Sequence, residues 1–193
     1  MRVISGRFRG HRLKAPPGRE VRPTLDRVRE SIYDLTLVRP VDARVLDLFA
    51  GTGALGIEAL SRGAAHVTFV ERDPRVAHVI EENLAHVHAE SSTWRLLRLP
   101  VAKALGLLAP PFDLVLADPP YRLGLGVDVL QRLADRLDLL SPEAVVVLET
   151  EAGGLPFERN HGLVNVFRRR YGESEVTVWS PSPEAPAPSR EES

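Results

Sequence analysis

The sequence has no cysteine, one methionine, only two lysines (Lys14 and Lys103), and no apolar run near the ~18 residues of a membrane span. Without cysteine there is no disulfide framework, no thiolate nucleophile and no thiolate-held metal. The six histidines do not fill that gap. His66, His78, His86 and His88 fall in or beside a polar helical stretch with no supporting acid cluster, so no metal site is expected. The first residues, Met1-Arg2-Val3-Ile4-Ser5-Gly6-Arg7, hold no apolar signal core. These absences lead to the expectation of a cytoplasmic protein with no membrane partner. At 193 residues and 44% hydrophobic content the chain can bury one domain's core, and a monomer is expected.

What is present is arginine, unevenly placed. Up to residue 29, Arg2, Arg7, Arg9, Arg12, Lys14, Arg19, Arg22, Arg27 and Arg29 face only Glu20 and Asp26, nine against two, while the whole chain carries −1. A basic start on a near-neutral protein suggests local contact with a polyanion. Val3-Ile4 and Arg12-Leu13 flank a glycine-punctuated turn, which predicts a short β-hairpin with Phe8 near its tip. Two strands alone are marginal, so residues 1–20 are expected to form a mobile arm. Arg7, Phe8, Arg9 and Arg12 suit phosphates and a base face together; the competing reading is a solvated charged hairpin.

Pro23 and Thr24 predict a helix start, with Thr24 as its N-cap. Leu25, Val28, Ile32 and Leu35 then recur at helical spacing, leaving Arg22, Arg27 and Arg29 able to face a ligand crevice. Strands are expected over 44–49, 67–70, 94–99, 112–117 and 144–148. Helices are expected over 54–62, 74–86 and 101–108, and one is marked by Val127, Val129, Leu130, Leu133 and Leu137. Residues 163–170 and 174–179 read as an antiparallel hairpin without an intervening helix. The resulting α/β fold is a mostly parallel seven-stranded sheet with an antiparallel C-terminal hairpin. It occupies residues 21–179, and the proline, serine and glutamate tail over 180–193 is expected to be disordered.

Two motifs carry chemistry. Gly51-Thr52-Gly53-Ala54-Leu55-Gly56 fits G-x-G-x-x-G between a strand and a helix, and Glu71 follows Gly51 by twenty residues, at a strand end where it can accept both ribose hydroxyls. Both features fit NAD or S-adenosylmethionine. Asp47, four residues before Gly51, opposes a pyrophosphate but favours a cationic sulfonium; its other reading is a hydrogen bond to the glycine loop's backbone. The second motif is Asp118-Pro119-Pro120-Tyr121, where two prolines force the chain out of the sheet and fix a carboxylate and a ring at a strand's carboxyl end. Asp118 and the Pro119 carbonyl can accept both hydrogens of a planar amine, Pro120 stiffens the turn, and Tyr121 can stack on the base. The plain alternative is a proline turn that merely exits the sheet.

Three stretches in order closely resemble the bacterial 16S rRNA (guanine-N2)-methyltransferase family: Arg22-Pro23-Thr24-Leu25-Asp26-Arg27-Val28-Arg29-Glu30, the run from Leu46 through Gly51 to Gly63, and Asp118-Pro119-Pro120-Tyr121-Arg122. The resemblance covers residues 1–179. It implies a Rossmann-like class I, S-adenosylmethionine-dependent methyltransferase acting on a guanine 2-amino group of 16S rRNA within an assembling 30S particle. By position it implies that Asp47, Phe49, Ala50, Gly51, Gly53, Glu71, Arg72, Pro100, Val101 and Asp118 bind the cofactor. Asp118, Pro119, Pro120 and Tyr121 would hold the guanine, and Arg7, Phe8, Arg9, Arg12, Arg22, Thr24 and Arg27 the RNA. One departure stands out. Where many relatives carry Asp or Asn after the third strand for the adenine amino group, this chain has Leu99-Pro100-Val101, leaving backbone groups and apolar contact. Competing readings are adenine-N6 methylation of DNA, an NAD-dependent oxidoreductase and a non-catalytic RNA-binding assembly chaperone.

Overall fold

A computed structural model describes residues 1–16, 23–35, 38–109, 111–120, 124–155 and 157–182, with side chains of the first helix described from Arg29 onward. The sheet is organised on β1 (Arg44–Leu48), whose last four residues are all buried. A strand covered on both faces reads as continuous apolar sequence, as this one does apart from Asp47. It pairs in parallel with β2 (His66–Val70) on one side and β4 (Phe112–Ala117) on the other. Beyond these lie β3 (Trp94–Leu97) and β5 (Leu140–Glu151), also parallel. The crossovers are α2 (Ala54–Ser61), α3 (Pro74–His86), α4 (Val101–Leu107) and α5 (Leu125–Ala134), and α1 (Pro23–Asp34) precedes β1. Antiparallel β7 (Leu163–Tyr171) and β8 (Ser174–Pro181) follow, joined across Gly172 at φ 63, a left-handed position suited to a tight hairpin.

With the short β6 (Arg159–Asn160) at the edge, the order β3-β2-β1-β4-β5-β8-β7-β6 reverses direction between β1 and β4. Ligand crevices open at the carboxyl ends of strands at such a switch point. Alternation along the strands builds a core on each face. Val45, Val67, Phe69, Leu114, Leu116, Val147 and Val178 pack toward α1, α2 and the N-terminal segment. Leu46, Leu48, Val70, Val115, Val146 and Leu148 pack toward α4 and α5.

Several expectations need correction. The sheet among the described residues has eight strands, because β6 (Arg159–Asn160) pairs with the start of β7 and is too short to leave a sequence period. β8 runs to Pro181, so the first two residues expected in the tail are strand; residues 183–193 lie outside the described residues. Thr24 lies inside α1, which starts at Pro23, a residue whose missing N–H costs nothing in a first helical turn.

The N-terminal segment is not a free arm. Only Arg2 and Arg12 form a ladder pair, and Val3, Phe8 and Leu13 belong to the core. Phe8 is 7% exposed, so its ring faces inward rather than toward a base. The buried Glu58 carboxylate accepts the Ile4 and Ser5 amides at 2.8 and 2.9 Å, while the Phe8 amide donates to Ser61 Oγ at 2.9 Å and the Arg7 amide to the Ser61 carbonyl at 2.8 Å. Gly6, at φ 79, lies so close to α2 that a Cβ there would sit 1.8 Å from the Ser61 carbonyl oxygen. A two-stranded hairpin lacks a core of its own, and here α2 supplies it.

Candidate active site

β1 turns sharply after Leu48. Phe49 adopts φ 58, a left-handed conformation that costs a non-glycine residue about 1–2 kcal/mol and that clusters where a site dictates backbone shape. Gly51 and Gly53 follow at φ 58 and 77, and Gly53 leads into α2. Gly56 serves packing, since a Cβ there would lie 2.3 Å from the Phe69 ring. Three side chains hold this loop. Asp47, 1% exposed, accepts the Gly56 amide at 2.9 Å from below. Glu71, at the end of β2, accepts the Gly51 amide at 3.0 Å with one oxygen and the Asp73 amide at 2.9 Å with the other. The buried Asn83 of α3 donates to the Thr52 carbonyl at 2.9 Å and exchanges hydrogen bonds with the Lys14 backbone, tying the N-terminal segment to the loop.

Burial pushes the Asp47 carboxyl up to about 7, with Glu71 adding to the rise and the Gly56 amide opposing it. The structure thus gives Asp47 the backbone role, and places its charge directly beneath the loop.

Above the loop lies a cleft of about 840 Å³ counted with its open mouth. Phe49, Ala50, Gly51 and Asp118 line it together, joined by Met1, Arg29 and Glu149. The carboxyl ends of β1 and β4 therefore meet as the switch point requires. Arg29 is 4% exposed and donates to the Arg2 carbonyl at 2.5 Å, in keeping with its expected place at the crevice. Pro119 and Pro120 line a smaller neighbouring hollow with Gly124, Gly126 and Thr150.

Other expected site residues are not brought there. Arg72 is exposed beside Glu71, and Val101 is buried in the core under α4 with Pro100 exposed ahead of it. Arg7 and Arg9 sit at the far end of α2, about 12 Å from the glycine loop at 1.5 Å per residue. The Arg7 guanidinium lies 4.6 Å over the Phe8 ring. Arg12 is exposed. Arg22 and Tyr121 lie outside the described residues, as do the side chains of Thr24 and Arg27. Sequence reasoning missed Glu149 and Asn83. Glu149 lies inside β5, beside the β4 end that carries Asp118, and nothing local in the sequence marked it.

The family described as Conserved hypothetical protein 95 matches residues 1–180. The chain belongs to that family. It is 40% identical over 160 residues to Ribosomal RNA small subunit methyltransferase D of Escherichia coli K12, covering 81% of this chain and 78% of the relative. It is 35% identical over 182 residues to the rRNA methyltransferase YlbH of Bacillus subtilis, covering 93% and 98%. The solved structure of the Escherichia coli methyltransferase yhhF superposes with a TM-score of 0.83 at 35% identity, covering 94% of this chain and 98% of that one.

This family member is a Rossmann-like class I methyltransferase, dependent on S-adenosylmethionine. The NAD-oxidoreductase and non-catalytic readings are thereby set aside. The residues present fit the cofactor. Gly51 and Gly53 keep the loop free of side chains, the Asp47 carboxylate beneath suits a cation, and Glu71 retains lone pairs for hydroxyls after its two amide bonds. Among the described residues no helix is long and apolar enough to cross a membrane, and no group of histidines and carboxylates is placed to hold a metal.

Proposed function

We propose that this enzyme methylates the exocyclic 2-amino group of a guanine in small-subunit (16S) ribosomal RNA, acting in the cytoplasm as a monomer on a 30S assembly intermediate. The observation that carries the reading is Asp118 at the end of β4, in one cleft with the glycine loop at the end of β1. The names of the Escherichia coli and Bacillus subtilis relatives support ribosomal RNA as the substrate.

Bound S-adenosylmethionine supplies an electrophilic methyl group. A purine's exocyclic amine is a poor nucleophile, because its lone pair is delocalised into the ring. Asp118 and the Pro119 carbonyl accept the amine's two hydrogens, drawing the nitrogen toward a pyramid and freeing its lone pair. The Asp118 carboxylate also stabilises the positive charge that develops there. No strong base is needed, since the methylated, cationic nitrogen sheds its proton readily. Alignment of the two reactants accounts for most of the acceleration, on a scale of ~7–11 kcal/mol. Tyr121 stacks on the extruded base, worth roughly 1–3 kcal/mol. Asp47, Phe49, Ala50, Gly51, Gly53 and Glu71 hold the cofactor. Arg7, Arg9, Arg12, Arg22, Thr24 and Arg27 contact RNA.

Asp118→Ala tests the reading. We expect methyl transfer to small-subunit RNA to vanish while cofactor affinity and thermal stability stay near wild type. Retained transfer would remove Asp118 from the chemistry.

A further inference from the structure

We infer that Glu149 selects guanine by accepting the N1–H of the target base; this rests on the guanine reading above. Parallel β4 and β5 place Ala117 opposite Leu148, so Asp118, just past the end of β4, lies beside Glu149, still within β5. Neighbouring strands lie about 4.8 Å apart, close enough for two carboxylates to address adjacent N–H groups of one base. Side chains two residues apart share a face. Leu114 and Leu116 of β4 and Val147 of β5 belong to the core on the α1 side, which directs Asp118 and Glu149 to that same side. Both line the cleft.

Glu149 is 5% exposed and so largely shielded from bulk water where it lines the cleft. Arg29 lines the same cleft as the two carboxylates. The chemistry of the two purines then decides between them. Guanine presents its 2-amino group next to N1–H, two donors in a row. Adenine presents its 6-amino group next to an N1 lone pair, a donor beside an acceptor. An ionised carboxylate only accepts, so Glu149 pairs with guanine N1–H and repels adenine N1. The clash of an acceptor with the N1 lone pair of the wrong base is what gives such a site its selectivity.

The test uses the full-length enzyme, labelled S-adenosylmethionine, and small-subunit RNA carrying either guanine or 2-aminopurine at the mapped target. 2-Aminopurine keeps the 2-amino group but has a lone pair at N1. We expect the wild type to yield N2-methylguanosine and to prefer guanine by at least about 100-fold in kcat/KM. Glu149→Gln, which can turn its amide toward an N1 lone pair, should cut that preference to about tenfold or less with cofactor affinity intact. Equal falls on both bases would make Glu149 structural and overturn the inference while leaving the guanine reading in place. Equal wild-type rates on the two bases would overturn it without recourse to any variant. A wild-type product other than N2-methylguanosine would overturn the guanine reading and this inference together.

Discussion

Replacing Asp47 with Asn removes a buried charge and keeps the side chain's shape. Burial raises the Asp47 carboxyl from 3.8 to about 7 in the folded protein, whereas the unfolded chain leaves it at its ordinary value. Between those limits the folded state binds the proton more tightly than the unfolded state. Its stabilising contribution is therefore full below about pH 4 and is lost as pH rises through about 7. At about 1.4 kcal/mol per pH unit the complete loss is about 4 kcal/mol. About 2–3 kcal/mol of that falls between pH 5 and pH 8. Asn still offers an oxygen to the Gly56 amide, which Asp47 accepts at 2.9 Å, but it cannot ionise. Urea denaturation of both proteins at pH 5 and pH 8 isolates the effect, because other titrating groups and any fixed cost of the amide cancel in the double difference. Asp47→Asn should gain about 2–3 kcal/mol on the wild type across that interval. A difference that stays flat with pH would refute the reasoning. The same variant also asks why a costly anion is kept. At pH 8 its affinity for S-adenosylmethionine should fall although its stability rises, and an unchanged affinity would confine Asp47 to holding the loop.

Other parts of the account are tested separately. Gly56→Ala puts a Cβ 2.3 Å from the Phe69 ring and 2.9 Å from an Asp47 oxygen, so thermal melts should show a loss of about 1–3 kcal/mol and calorimetry a weaker cofactor site. Phe8→Ala should cost about 3 kcal/mol in denaturant titration, because the ring is core; a surface-sized loss would return it to the solvent. Changing Arg7 and Arg9 together to Ala should lower the slope of log affinity for RNA against log salt by roughly 0.7–0.9 per lost phosphate contact. An unchanged slope would take that turn out of the interface.

The parallel core was legible because its strands are apolar runs bounded by turn residues. The bounds of α3 were legible too, since Asp73 and Pro74 mark its start and the Asp73 carboxylate does accept the Arg75 amide at 2.9 Å. β6 was not, because two residues carry no period. The seating of Phe8 escaped for a different reason. Its partners on α2 lie more than fifty residues away, and a tertiary contact leaves no local pattern. Asp118 stood out because two prolines end its strand. Glu149 had no such punctuation: β5 runs on through Thr150 and Glu151, so its carboxylate read as one more strand residue. The glycine loop was legible as a ligand turn, while Asn83, which anchors it from α3, looked like any polar residue on a helix.

The central claim is that Asp118 and the glycine loop assemble one site for methylating a guanine amine in ribosomal RNA. Its most direct test is incubation of the wild type and Asp118→Ala with labelled S-adenosylmethionine and 30S assembly particles, followed by mass spectrometry of the digested RNA. The account predicts N2-methylguanosine at a single position with the wild type and none with the variant. Label on an adenine N6, or equal incorporation by both proteins, would contradict it.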